Sequence, residues 1–139
     1  MLIEARIDNA LERHSVSLVT DGTPRTLAIA PRSGGTGSSV NGGEMLCLAI
    51  ATCYCNDLYR EAAKRSIAIV RVVVAAQAEF GGPGEPARTL RYRADVTAHA
   101  DEAAIFALML ATDRAAEIQN TLRRGMPVAF EPGRAERAP

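Results

Sequence analysis

An α+β domain of order βββ-α-ββ-αα-β is what this sequence predicts, and three observations carry it. Short alternating segments divided by turn residues fill the first thirty positions. One long apolar stretch, preceded by a glycine-rich loop, occupies residues 41–65. Two strand-like runs then flank Gly81-Gly82-Pro83-Gly84, and two helical segments follow.

Each element has its own signal. Leu2 to Leu11 reads as a first strand, and Ser15 to Thr20 as a second, with polar Ser15 and Ser17 alternating with Val16 and Leu18. Asp21-Gly22 is a hairpin turn, and Thr26 to Ala30 resumes the alternation as a third strand. Residues 31–43, PRSGGTGSSVNGG, are a loop by composition. They lack the Gly-Lys-Ser/Thr of a phosphate cradle. Asn41 followed by Glu44 makes a capping box, which starts a helix that runs to about Arg65. Its first half, MLCLAIATC, is apolar on every side and is expected to be buried all round. Its second half carries Asp57, Arg60, Glu61, Lys64 and Arg65 and is expected to reach solvent or a polar interface. Ser66 to Phe80 and Thr89 to Ala100 form a second hairpin. Asp101 caps a helix through about Ala111, another covers Asp113 to Arg124, and Met126 to Phe130 is a short last strand. The chain of 139 residues reads as a single domain over 1–139, with 131–139 a mobile tail.

Composition narrows the partners. Formal net charge is zero, which removes any global attraction toward nucleic acid or an anionic membrane. The opening MLIEARIDNALER has no apolar signal core, and no apolar run is long enough to span a bilayer, so a cytoplasmic location is expected. Three cysteines, Cys47, Cys53 and Cys55, crowd one helix. Two positions apart on a helix is a rotation of about 200°, so Cys53 and Cys55 face opposite ways and cannot bond to each other. Cys47 lies roughly 9 Å along the axis from Cys53, out of reach. His14 and His99 show no ligand spacing, and neither a metal nor any other cofactor is expected.

For an isolated helix cysteine the default role is a small buried hydrophobe, and Cys47 between Leu46 and Leu48 fits it. Cys53 has a different setting. The stretch NGGEMLCLAIATCYCND, with Glu44 and Cys53 nine residues apart, resembles the central-helix signature of the OsmC/Ohr superfamily. The hairpin over 67–100 and the ending EIQNTLRRGMPV are similar to the family's downstream segments. The resemblance implies an OsmC-like fold with a long buried central helix in an intertwined homodimer, and it puts Cys53 in the reactive-thiol position. Asp57, four residues on, is the pattern of the general OsmC-like branches. Two departures stand out. Members that reduce hydroperoxides carry a second cysteine where this chain has Ala116, and the proline of the helix cap is replaced by Gly42. The Ohr branch also places its acid one residue earlier, at Gly43.

A thiolate is the nucleophile, and a cysteine this deep in a helix gains little from the dipole. An ionised Asp57 nearby would disfavour the thiolate further, so a cation is needed. The resemblance implies Arg13 for that role, oriented by Glu44, with Arg25 and Arg32 as weaker candidates. A solvated surface charge is the competing role for Arg13, and a plain capping acid the competing role for Glu44. Two functions follow. In the first, Cys53 reduces an organic hydroperoxide in oxidative stress defence and is recycled by an external thiol or by Cys55 of a second subunit. In the second, the protein is non-catalytic and binds a small apolar ligand at the dimer interface.

Overall fold

A computed structural model describes residues 1–135, 137 and 138 of the chain. The strands and helices are β1 Ile3–Ala10, β2 Arg13–Thr20, β3 Thr23–Thr26, α1 Gly42–Lys64, β4 Ala68–Phe80, β5 Ala87–His99, α2 Glu102–Ala115 and α3 Glu117–Arg123. The α+β class holds. Two units can be described. The first comprises Met1–Leu48 with Ala78–Thr89, the second Ala49–Gln77 with Leu90–Pro139.

In the first unit β1, β2 and β3 form an antiparallel sheet in that order, with Ile3 opposite Thr20 and Thr20 opposite Thr23. Asp21 and Gly22 make the β2–β3 turn with φ of 46° and 78°. Both values lie in the left-handed region, the geometry that matches the twist of a two-residue hairpin. Asp21 also accepts a hydrogen bond from the Leu2 amide at 2.7 Å, closing the sheet's end. The third strand was expected over Thr26–Ala30 and instead follows the turn directly. Residues 27–30 leave the ladder because the Ala30 carbonyl accepts from Ser39 of the glycine loop. The Phe80 ring lies so close to Gly43 that a Cβ there would stand 2.9 Å from the ring.

The capping box forms as expected. Asn41 N–H donates to Glu44 Oε2 at 2.7 Å, and Glu44 N–H donates to Asn41 Oδ1 at 2.9 Å. The helix ends with Ser66 in the left-handed region (φ 54°), Ile67 N–H on the Ala62 carbonyl and Ser66 N–H on that of Ala63. This is the six-to-one closure that satisfies the last carbonyls.

The second unit holds the core. Tyr54, Leu58 and Ala62, four residues apart along α1, pack with Leu108 of α2. Ile69, Val72 and Val74 of β4 and Tyr92, Ala94 and Val96 of β5 pack against them. The burial expected for α1 holds in part: Ile50 is buried and Arg60 and Lys64 reach solvent, but the apolar half is not covered all round. Leu48, in the apolar half, is 54% exposed, whereas Asp57, Leu58, Glu61 and Ala62 in the charged half are buried. The reason is packing: α2 and the β4–β5 pair cover the later turns, and the charged groups there are neutralised by partners rather than by water.

Asp101 caps α2 by accepting from Ala104 N–H at 2.7 Å. The helix continues past Ala111 to Ala115, with the buried Thr112 hydroxyl returned to the Leu108 carbonyl at 2.9 Å. The break comes at Ala116, fully buried and extended (φ −70°, ψ 111°). After α3, Gly125 turns the chain in the left-handed region (φ 62°), but no strand follows among the described residues. Met126 to Phe130, expected as a strand, pairs with neither sheet, and Pro127 brings no N–H to a ladder. Val128 is 98% exposed. Residues 131–135, 137 and 138 are exposed and without regular structure. For positions 136 and 139 the expected tail lies outside the described residues.

Candidate active site

Cys53 sits half-buried in the third turn of α1. Spacings of four and three residues put Asp57 and then Arg60 on the same helix face. Glu117 reaches this face from the first position of α3. Two tethers in the second unit hold α3 in place. Gln119 Nε2 donates to the Ile50 carbonyl at 3.1 Å. Arg123 Nη2 pairs with Asp113 Oδ1 at 2.6 Å, and the Tyr92 hydroxyl donates to that same oxygen. Tyr54 donates to the Met109 carbonyl at 3.0 Å, tying α1 to α2.

The cluster is an array of alternating contacts. Cys53 Sγ donates to Asp57 Oδ2 at 3.4 Å and lies 3.9 Å from Glu117 Oε2. Arg60 spans the two acids from the other side, Nη1 to Asp57 Oδ1 at 2.9 Å and Nη2 to Glu117 Oε1 at 3.2 Å. Burial pushes the Cys53 thiol above its ordinary value; the Ile118 backbone N–H works against the rise, and Asp57 and Glu117 add to it. Burial also raises the Asp57 carboxyl, the thiol bond lowers it, Glu117 raises it and Arg60 lowers it. Glu117 is held below the ordinary carboxylate range, first by its own backbone N–H and then by Asp57 and Arg60.

Cys53, Asp57 and Glu117 offer three donor atoms within 4.8 Å of one another, a set with metal-ligand chemistry that spacing alone did not indicate. Arg60 already occupies one oxygen of each carboxylate, so a cation there would compete with the guanidinium.

The other expected site residues have different company. Arg13 pairs with Asp8 at 3.2 Å and is largely exposed. Glu44 is engaged in its capping box. Arg25 and Arg32 are exposed. Cys55 borders a shallow depression lined by Ala51, Thr52, Asn56 and Val74, away from the Glu117 side where Cys53 points. All three thiols are free. Arg60 and Glu117 are the residues that sequence reasoning missed. Arg60 was within reach of helical spacing, three residues after Asp57; Glu117 required knowing where α3 packs.

A sequence profile of the family described as OsmC-like protein matches residues 35–131. No curated protein matches the chain. Three solved structures share the fold. An OsmC-like protein from Mycoplasma pneumoniae is 17% identical, with a TM-score of 0.61 over 86% of this chain and 87% of that one. An organic hydroperoxide resistance protein OsmC from Legionella pneumophila is 19% identical, with a TM-score of 0.58 over 88% and 90%. An organic hydroperoxide resistance protein from Elizabethkingia anophelis, crystallised with thiocyanate bound, is 14% identical, with a TM-score of 0.56 over 90% of each chain.

Proposed function

This chain belongs to the OsmC-like family, and from that premise we propose that it reduces organic hydroperoxides in the cytoplasm through Cys53. The observation that carries the reading is the setting of the Cys53 sulfur. It is half-buried, in contact with an acid, and beside a carboxylate pair bridged by a guanidinium. Two of the fold relatives are described as hydroperoxide resistance proteins, which supports the same substrate class. Sulfur attacks the terminal peroxide oxygen, the O–O bond breaks, and Cys53 becomes a sulfenic acid while the peroxide leaves as an alcohol. Ala116 carries no sulfur, so two equivalents of an external thiol complete the cycle, or Cys55 of a second subunit forms the first disulfide. Arg13 as the thiolate's cation and Glu44 as its orienting acid belong to the proposal on the strength of the resemblance.

The test is consumption of cumene hydroperoxide with excess dithiothreitol. Cys53→Ser abolishes turnover and Cys47→Ser leaves it nearly intact. Cys55→Ser separates the two recycling routes: loss of turnover with the first oxidation preserved identifies Cys55 as the resolving thiol. Arg13→Ala slows the first step if Arg13 serves the thiolate. A wild type no faster than an unrelated free-thiol protein overturns the peroxidase reading.

One observation favours the non-catalytic alternative: burial raises the Cys53 thiol where an activated cysteine would be lowered. Ligand binding without turnover is therefore the second reading. Both readings use a homodimer, supported by apolar side chains that a single chain leaves in water, among them Ile3, Ile7, Leu48, Phe106, Val128 and Phe130. Sedimentation at micromolar concentration gives about twice the chain mass of 14.8 kDa; a stable monomer overturns the dimer.

A further inference from the structure

A protonated thiol in the resting site has to lose its proton during the attack, and only a group touching the sulfur can take it. Two carboxylate oxygens contact the sulfur, Glu117 Oε2 at 3.9 Å and, nearer, Asp57 Oδ2 at 3.4 Å. The geometry around it is one-sided. Arg60 holds the outer oxygens, Asp57 Oδ1 and Glu117 Oε1, and leaves Asp57 Oδ2 and Glu117 Oε2 turned to Cys53. The Asp57 side chain is only 5% exposed, so a proton placed on it is kept from bulk water. Glu117, at 65% exposed, connects the pair to solvent. The charged and titratable groups facing Asp57 are Cys53 and Arg60 from α1 and Glu117 from α3.

We infer that Asp57 is the acid–base catalyst of this site: its Oδ2 takes the Cys53 thiol proton as sulfur attacks, then returns it to the departing alkoxide, with Arg60 and Glu117 as positioning residues. This rests on the peroxidase reading above and assigns it a proton path. The step balances. The S–H bond breaks toward Asp57, an S–O bond forms to the terminal peroxide oxygen, and the O–O bond breaks. The alkoxide takes the proton from Asp57 and leaves as the alcohol. Sulfur loses two electrons, the peroxide gains them, and the carboxylate is restored. Burial supports the role from both sides, since it raises the thiol, which then needs a base, and raises the carboxyl, which makes it a stronger one.

The experiment is single-turnover oxidation of Cys53 in the full-length protein by cumene hydroperoxide, followed across pH 5–9. In wild type the rate falls on the acid side as Asp57 takes up a proton and is level above that. Asp57→Asn lowers the rate at neutral pH by about 10²–10⁴-fold, and the remaining rate climbs about tenfold per pH unit because only pre-formed thiolate then reacts. Asp57→Glu recovers part of the level region. Arg60→Lys keeps a cation but cannot span both carboxylates, and gives an intermediate rate. Glu117→Gln, at an exposed position, guards against misfolding of Asp57→Asn: removing that negative neighbour moves the acid limb to lower pH. If Asp57→Asn matches wild type in rate and profile while Cys53→Ser is inert, or if Glu117→Gln leaves the acid limb in place, the Asp57 role is overturned and the peroxidase reading stands. If Cys53→Ser consumes peroxide as fast as wild type, the peroxidase reading falls and the Asp57 role with it.

Discussion

Two buried carboxylates stand four residues apart on α1, and their surroundings differ in one respect. Glu61 has a cation on each oxygen, Lys64 Nζ on Oε1 at 2.5 Å and Arg65 Nη1 on Oε2 at 2.8 Å. These partners, Lys64 first, hold its carboxyl down at about 2. Asp57 has a cation on one oxygen only; the other meets a thiol. Its carboxyl is raised. A carboxylate with a cation on both oxygens is locked into the folded state, whereas one whose second oxygen accepts from a thiol can exchange a proton with it. Burial alone does not separate an anchor from a reactive group; the second oxygen does.

The largest expected effect lies between the two. Leu58 is fully buried, next to Asp57 and one turn from Glu61. Leu58→Ala lowers stability by about 2–5 kcal/mol, read as the urea midpoint, and loosens both sites together. Glu61→Gln comes next and lowers the midpoint at neutral pH by less. The sign follows from linkage. A carboxyl lowered from 4.5 to about 2 contributes stability above pH 4.5 that is lost as pH falls toward 2. Wild type therefore loses stability in that window, and Glu61→Gln loses much less of it. Asp57→Asn is the smallest. A raised carboxyl weighs against folding once ionised, so a neutral side chain at 57 shifts the midpoint little at pH 7. A fall for Asp57→Asn as large as for Glu61→Gln would erase the distinction between anchor and reactive acid.

Much of this architecture was readable before any coordinates. Asp21-Gly22, the Asn41–Glu44 box and Asp101 act through bonds a few residues long, and each forms as local chemistry dictates. The misreadings all involve distant partners. Thr26–Ala30 alternates like a strand, but Ser39 claims the Ala30 carbonyl. The pairing of Arg60, Lys64 and Arg65 with Asp57 and Glu61 follows helical spacing, but the burial of the two acids does not, because it depends on the packing of α1 within the second unit. The site divides the same way. Cys53 was found by resemblance, and the Asp57 effect on its thiol by i,i+4 geometry. Glu117 depends on a helix break at Ala116, where no glycine or proline marks the turn.

The contact between Phe80 and Gly43 bears on the order in which changes can accumulate. Moving the helix-cap acid from 44 to 43 looks like a short step, yet a Cβ at 43 would stand 2.9 Å from the Phe80 ring and 3.2 Å from Asn41 Oδ1. The substitution at 43 is thus crowded while Phe80 is present, and it also competes with the Asn41 oxygen that caps the helix. With a smaller residue at 80 first, only the Asn41 oxygen crowds position 43; in the reverse order the half-exposed Phe80 ring has to swing aside. A side chain at the end of β4 thereby restricts which one-step descendants of this sequence keep a well-formed start to the helix that bears Cys53.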